Sequence, residues 1–250
     1  MFLYSPLEQF SILPILSLCI SFIDFSVTNA VVTSLISLGA AWSLYSLVAV
    51  FDFTLIPFRW QLILEGLYET ASGLIWDSVG ARGQKYFPFI FTVFFFVLLS
   101  NVSGLAPYSF TTTSHLIQTL VLAYTVFIGV MIICAGVHGF HMLSLFLPGG
   151  TSLGLAFLLV PIEIISYIFK PVSLAVRLFA NMMAGHTLLK VIVGFAWSML
   201  CSGGLLLIVH IVPLGVLVIL FGLELAVSLI QAYVFTILSC IYINDALVLH

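Results

Sequence analysis

From Tyr86 to Ile162 the sequence contains no Asp, Glu, Lys or Arg. A water-soluble domain carries roughly 25% charged residues over its surface, so an uncharged stretch of this length cannot be given a soluble exterior. Over all 250 residues only 6% are charged and 63% are apolar. The 6 Lys and Arg residues also cannot form the basic surface of a nucleic-acid-binding protein. We therefore expect an all-α polytopic membrane protein with no nucleic-acid partner.

Changes in polarity divide the first 147 residues into four predicted segments. Residues 1–25 are mixed in character and predict a peripheral segment, and residues 26–51 are apolar and long enough for a first span. Residues 52–85 hold nearly half of all the charged residues, and their apolar side chains recur with helical spacing, which predicts an amphipathic helix at the interface. Residues 86–147 predict a transmembrane hairpin, because polar residues interrupt their apolar sequence.

The last segment, residues 153–245, contains two unusually long apolar blocks at about 153–201 and 205–243. A helix of 40 residues is about 60 Å long, twice the thickness of the hydrocarbon layer. Such helices fit a membrane when they are strongly tilted. We therefore predict two long, steeply tilted helices that pack together as a hairpin.

The distribution of positive charge predicts the orientation. Arg59, Arg82 and Lys85 lie in the amphipathic segment, whereas the N-terminal segment contains no Lys or Arg. Because positive residues remain on the cytoplasmic or matrix side, the amphipathic segment is expected there. The N-terminus then lies on the opposite side, and the span count returns the C-terminus to the cytoplasmic or matrix side.

Ionisable and amide side chains interrupt both long apolar blocks. Glu163, Lys170 and Arg177 follow one another at intervals of seven residues, which places them on one helix face. Glu224 and Gln231 in the second block, with Asp245 just after it, repeat this pattern at intervals of seven and fourteen. Because an ionisable group inside a span costs a few kcal/mol, such faces normally line an ion path. The first block also contains Asn181, His186 and Lys190.

These side chains differ in what they can do with a proton. Arg177 cannot deprotonate and is a fixed cation, whereas Glu163, His186, Glu224 and Asp245 can take up and release protons. Two half-paths that meet at a fixed cation would let protons cross only by way of a mobile carrier. Small residues near Arg177, which are Ala180, Ala184 and Gly185, predict a partner helix docked against its face.

The residues around Arg177 closely resemble the signature of subunit a of rotary F-type ATP synthases. The sequence reads Pro171-Val-Ser-Leu-Ala-Val-Arg177-Leu-Phe-Ala-Asn181-Met-Met-Ala-Gly-His186. Glu163 upstream, and Glu224 with Gln231-Ala-Tyr downstream, fit the same family, as do Asn101 and the ending Asp245-Ala-Leu-Val-Leu-His250. The pairing of His186 with Glu224 resembles the mitochondrial form, and a fungal one in particular. Bacterial members tend to carry an acid at the first of these positions and a histidine at the second.

The resemblance implies a proton-translocating stator subunit that forms two offset half-channels beside a ring of proteolipid c subunits. It implies that Arg177 separates the half-channels and meets the ring carboxylate. It also assigns Glu163 and Asp245 to the matrix-side half-channel. The residues that it assigns to the intermembrane-space half-channel are Asn101, Asn181, His186, Glu224 and Gln231.

The same resemblance implies a multi-pass protein of the mitochondrial inner membrane. Its expected partners are the c-ring, other Fo and peripheral-stalk subunits, the lipid bilayer and protons. No cofactor or metal is expected. ATP chemistry must take place in another subunit, because this sequence lacks the GxxxxGK[ST] loop.

Alternative interpretations remain open at this point. The chain could be a secondary transporter or a purely structural membrane subunit, although no internal repeat is evident. Arg177 could form a structural ion pair with Glu163 or Glu224. Lys170 and Lys190 could be structural rather than conducting, and Asp245 could either conduct or cap the last helix.

Overall fold

The structure, a computed structural model, describes residues 5–17, 19–20, 23–24, 26–50, 59–106, 109–139, 153–204 and 209–248. Within these ranges the chain is mainly α-helical, as expected. The helices are α1 (Asn29–Val50), α2 (Arg59–Val79), α3 (Phe87–Gly104), α4 (Leu116–His138), α5 (Leu153–Ser202) and α6 (Ile211–Leu247). Short 3-10 helices form at Pro6–Phe10, Gly80–Tyr86 and Thr112–Ser114.

Four helical stretches are long and apolar enough to cross a membrane among the residues described. They are Arg59–Gly104, Leu116–His138, Phe157–Ser202 and Ile211–Leu247. Helices satisfy their own backbone hydrogen bonds, which is why apolar sequences of this kind adopt them in lipid. Helix α1 forms where the first span was expected but is not among the four, so its crossing of the membrane stays a prediction.

The two long apolar blocks form the two longest helices that the structure describes. Helix α5 continues through Pro161 and Pro171, which membrane helices tolerate because neighbouring groups satisfy the freed backbone positions. It ends immediately before Gly203 and Gly204, both of which have positive φ angles. Glycine adopts this left-handed conformation without a steric penalty and commonly terminates helices.

The N-terminal segment contains short strands, which the sequence analysis did not anticipate. Pro14–Leu16 pairs antiparallel with Val27–Thr28, and Cys19–Ile20 pairs antiparallel with Ile23–Asp24. The side chain of Asn29 fixes the start of α1: its Nδ2 donates to the carbonyl of Ser11 at 3.1 Å, and its Oδ1 accepts from the amide of Leu13 at 3.2 Å. Ser11 and Leu13 belong to the segment expected to be peripheral, whereas Asn29 belongs to the predicted first span, so these contacts join the two segments.

The chain divides into two compact units. The first unit comprises the chain up to Ala41 together with Phe96–His115 and Leu178–Ala232. The second comprises Trp42–Phe95, Leu116–Arg177 and the chain from Tyr233 onward. Helices α1, α3, α5 and α6 each begin in one unit and end in the other.

The second unit contains a well-packed apolar core. Its buried members come from α2, α3, α4 and α6 and are Ile75, Ile90, Val130, Cys134, Cys240, Ile243 and Ala246. Gly129 of α4 lets the ring of Phe89 approach closely, since an added Cβ would lie 3.1 Å from its Cζ. Nε2 of His138 lies 3.3 Å from the carbonyl oxygen of Leu247, which joins the C-terminal ends of α4 and α6. This core therefore fixes the α6 end that carries Asp245.

Candidate functional site

A polar face of α6 is buried in the first unit. Glu224, Ser228 and Gln231 follow one another at intervals of four and three residues, so they share one helix face. All three are buried, although neighbouring positions of the helix are exposed. Burying polar groups is costly unless they find partners, which makes this face a distinctive feature of an otherwise apolar helix.

Two amide side chains from other helices meet this face. Nδ2 of Asn181, on α5, donates a hydrogen bond to Oε1 of Gln231 at 2.9 Å. Nδ2 of Asn101, on α3, donates to the backbone carbonyl of Ser228 at 3.4 Å. Three helices therefore bring polar groups together in the first unit. The family resemblance had assigned Asn101, Asn181 and Gln231 to one half-channel.

The imidazole of His186 and the carboxyl group of Glu224 lie next to each other. His186 follows Asn181 by five residues on α5, and Glu224 precedes Gln231 by seven residues on α6. Nε2 of His186 is 3.8 Å from Oε1 of Glu224, and both side chains are largely buried. This separation is longer than a hydrogen bond. Gly185 lies against the same carboxyl group, because an added Cβ would come within 2.5 Å of Oε1. Gly185 was predicted, as one of the small residues near Arg177, to help receive a partner helix. In the structure it makes room for Glu224 of the same chain.

This arrangement combines two kinds of polar group. His186 and Glu224 can each bind and release a proton, and neither Oε atom of Glu224 has a hydrogen-bond partner among the described residues. The amides of Asn101, Asn181 and Gln231 can donate and accept hydrogen bonds but do not ionise. The cluster combines proton-binding groups with neutral hydrogen-bonding groups, and it is therefore suited to passing protons.

The second unit holds an ion pair between the two long helices. Nζ of Lys170 lies 3.5 Å from Oδ2 of Asp245. The ammonium group also lies over two aromatic rings, 4.9 Å from the ring centroid of Tyr167 and 5.3 Å from that of Tyr242. Lys170, which the sequence suggested to be more structural than conducting, thus contacts one of the predicted matrix-side residues.

Arg177 and Glu163 also belong to the second unit, but unlike Lys170 and Asp245 they do not form an ion pair with each other there. Arg177 is exposed and Glu163 is half-buried. Among the described residues, neither side chain takes part in a hydrogen bond or an ion pair, so the alternative of an Arg177–Glu163 ion pair is not observed. An arginine of this kind in an apolar helix favours a role toward another molecule.

Several polar residues of the first unit were missed by the sequence analysis. Ser228 could have been found, because it lies one helical turn after Glu224 and three residues before Gln231. The turn Thr111–Ser114 is part of the polar interruption from which the hairpin was predicted, yet its four side chains are buried. Gly104 allows this packing, since an added Cβ would come within 2.8 Å of Cγ2 of Thr111. Burial of a polar turn depends on tertiary contacts that local sequence does not report.

The described part of the chain contains no cluster of three His, Cys, Asp or Glu side chains that could hold a metal ion. The ATP synthase A chain family matches residues 15–244, which is nearly the whole chain. The chain belongs to the ATP synthase A chain family. Members of this family supply a proton-channel subunit of the complex and are not catalytic enzymes alone.

Related proteins align with nearly the whole chain. "ATP synthase subunit a" of Pylaiella littoralis is 71% identical over 246 residues, which cover 98% of this chain and 99% of that protein. The protein of the same name from Chondrus crispus is 49% identical over 248 residues, covering 98% and 97%. That of Rhodospirillum rubrum is 46% identical over 248 residues, covering 99% and 100%. Since these relatives are algal and bacterial, the fungal origin expected from the sequence stays a prediction.

Membership in the ATP synthase A chain family identifies the general function. The chain is a multi-pass membrane protein and the proton-translocating stator subunit of a rotary ATP synthase. Its partners are other subunits of that complex. The transporter and purely structural alternatives are thereby removed, and the confirmed expectations are the family, the fold class and the general role in proton transport.

Proposed function

We propose that this chain forms two offset half-channels that pass protons to and from the carboxylates of an adjacent c-ring. Each proton enters one half-channel, neutralises a ring carboxylate, travels with the ring and leaves through the other half-channel. Moving one charge through 100 mV yields only about 2.3 kcal/mol, so several transfers must be combined for each ATP made. Rotation of the ring combines them.

The intermembrane-space half-channel is proposed to comprise Asn101, Asn181, His186, Glu224 and Gln231. The observation that carries this proposal is their convergence in the first unit: Asn181 contacts Gln231, His186 faces Glu224, and Asn101 reaches the same buried face of α6. Polar groups that assemble inside apolar helices typically line an ion path. The titratable pair supplies proton-binding groups, and the amides supply hydrogen-bonding positions.

The matrix-side half-channel is proposed to include Glu163 and Asp245. Both lie in the second unit, on the two long helices, and neither is fully buried. The predicted orientation puts the start of α5 and the end of α6 on the matrix side, which agrees with this assignment. It also puts the N-terminus in the intermembrane space and the C-terminus in the matrix of a mitochondrion, with the chain in the inner membrane.

Arg177 is proposed to separate the half-channels and to meet the carboxylate of each c subunit in turn. Arg177 is exposed and has no ion-pair partner among the described residues, so it is available to a partner's carboxylate. A permanent cation attracts the ionised ring carboxylate and repels protons that would leak directly between the half-channels. The remaining proposed contacts are with other Fo subunits and the peripheral stalk.

The test is ATP-driven acidification of vesicles that contain the assembled complex with Arg177→Gln. We expect pumping to be lost while the complex stays assembled, because the ring carboxylate loses its cationic partner. Lys190→Gln is the matched control, since it removes another cation from the same helix and should pump like the wild type. Normal coupled pumping by Arg177→Gln would overturn the proposal. A passive proton leak in that variant would support the barrier role.

A further inference from the structure

Lys170 is surrounded by groups that compensate a positive charge. Its Nζ lies 3.5 Å from Oδ2 of Asp245 and within 4.9 Å and 5.3 Å of the ring centroids of Tyr167 and Tyr242. Aromatic rings attract a cation through their negative faces, and a carboxylate attracts it directly. A lysine inside an apolar helix is unfavourable without such partners. The environment of Lys170 therefore explains how α5 tolerates this charge.

The four side chains form one cluster that joins two helices. Tyr167 and Lys170 are three residues apart on α5, and Tyr242 and Asp245 are three residues apart on α6. Residues at this spacing share a helix face, so each helix contributes one ring and one charge. Tyr167 is 6% exposed, and its ring centroid lies 5.1 Å from that of Phe127 on α4. The cluster thus also rests on a third helix.

We propose that Lys170 is a positioning residue that holds the carboxylate of Asp245 in an ion pair and fastens the end of α6 to α5. We call Tyr167, Lys170, Tyr242 and Asp245 the latch. The proposal deepens the proposed function and rests on its assignment of Asp245 to the matrix-side half-channel. Within that half-channel the latch makes Asp245 part of the wall, and Glu163 is the residue that carries the proton.

The difference between the two carboxylates supports this division. Asp245 has a cation within 3.5 Å, so taking up a proton would break an existing ion pair. Glu163 has no ion-pair partner among the described residues and can change its charge without that loss. In water a pair as exposed as Lys170–Asp245 would contribute little. In a membrane helix, however, charge compensation matters more because the surroundings solvate ions poorly.

The test compares Lys170→Gln, Asp245→Asn and the double variant in the assembled complex. Each single variant leaves one charge uncompensated, and we expect ATP-driven pumping to fall to about one-tenth. The double variant removes both charges and should recover to at least about half of wild-type pumping. Glu163→Gln should lose pumping with or without the double substitution. A double variant that pumps no better than Asp245→Asn would overturn the latch, as would single variants with wild-type pumping.

A second pair of variants tests the aromatic part of the latch. Tyr167→Phe keeps the ring and should preserve the amount of assembled complex, whereas Tyr167→Leu removes the ring and should reduce it. The amount of assembled complex, measured on native gels, also reports the latch independently of proton transport. If Arg177→Gln pumps normally while the double variant restores assembly, the proposed half-channels fail and the latch stands. Equal assembly of the two Tyr167 variants would contradict the aromatic contribution.

Discussion

Gly185 lies directly against the carboxyl group of Glu224. A Cβ added at Gly185 would come within 2.5 Å of Oε1 and 2.9 Å of Cδ, distances that real Cβ atoms do not tolerate. Glycine is about 1 kcal/mol less favourable than alanine in a helix interior. Helix α5 is therefore intrinsically less stable at Gly185 than it would be with alanine there. The missing side chain lets the carboxyl group of Glu224, on α6, lie close to the backbone of α5.

Substitution of Gly185 by alanine should displace the Glu224 side chain and lower ATP-driven pumping several-fold at equal assembly. Gly194→Ala is the matched control, because Gly194 lies on the same helix and an added Cβ would have nothing within 4 Å. That control should keep normal pumping and stabilise the helix by up to about 1 kcal/mol. Pumping that is the same in both alanine variants would show that close approach to Glu224 does not matter.

Exchange of the two titratable residues should show that they act as a pair. His186→Glu and Glu224→His each leave two acids or two imidazoles side by side, and each should reduce pumping strongly. The double exchange restores one acid and one imidazole, so we expect a coupling free energy of about 1–3 kcal/mol in a double-mutant cycle on pumping rates. Strictly additive losses would instead indicate two independent roles. Wild-type levels of assembled complex are the control for folding.

His115, which directly precedes α4, should make its turn sensitive to acid. Burial lowers the pKa of His115 below its usual value of about 6.5, because Nε2 is buried without a partner among the described residues. The folded turn therefore binds a proton less readily than the unfolded turn does. Its stability is fully present above about pH 6.5 and decreases as the pH falls below that value.

The measurement is hydrogen–deuterium exchange of the peptide covering residues 109–118, corrected for the intrinsic effect of pH. Wild-type protection should decrease between about pH 7.5 and pH 5.5, whereas His115→Gln should show no such decrease. An equal decrease in both proteins would assign the acid sensitivity to another group. Protection of the α4 residues that follow provides the internal reference.

The polar faces of the two long helices could be predicted because ionisable residues are conspicuous in apolar sequence. Their interval of seven needed no tertiary information to place Glu224 and Gln231 on one face. The contacts that these residues make were harder to predict from the sequence. Pairing of Asn181 with Gln231 and of Lys170 with Asp245 depends on the register between α5 and α6, which a single sequence does not encode locally.

Other features of the structure had no usable signal in the sequence. The strands Pro14–Leu16 and Val27–Thr28 contain three and two residues, too few for an alternating pattern to emerge. Gly185 was noticed as a small residue, but small size alone did not say which helix it would face. Its neighbour proved to be Glu224 on α6. Close approach depends on the side chains of both helices, and the local sequence of one helix does not show which other helix packs against it.

The hydrogen bond between Asn181 and Gln231 has a consequence for how a proton can pass this part of the proposed half-channel. Carboxamides do not gain or lose protons at any pH that the protein experiences. A proton that passes them must therefore move as hydrated charge, along water molecules that the amides orient. Conduction at this position depends on hydration rather than on titration. Widening or drying the space around the amide pair would thus change the rate without changing any protonation equilibrium.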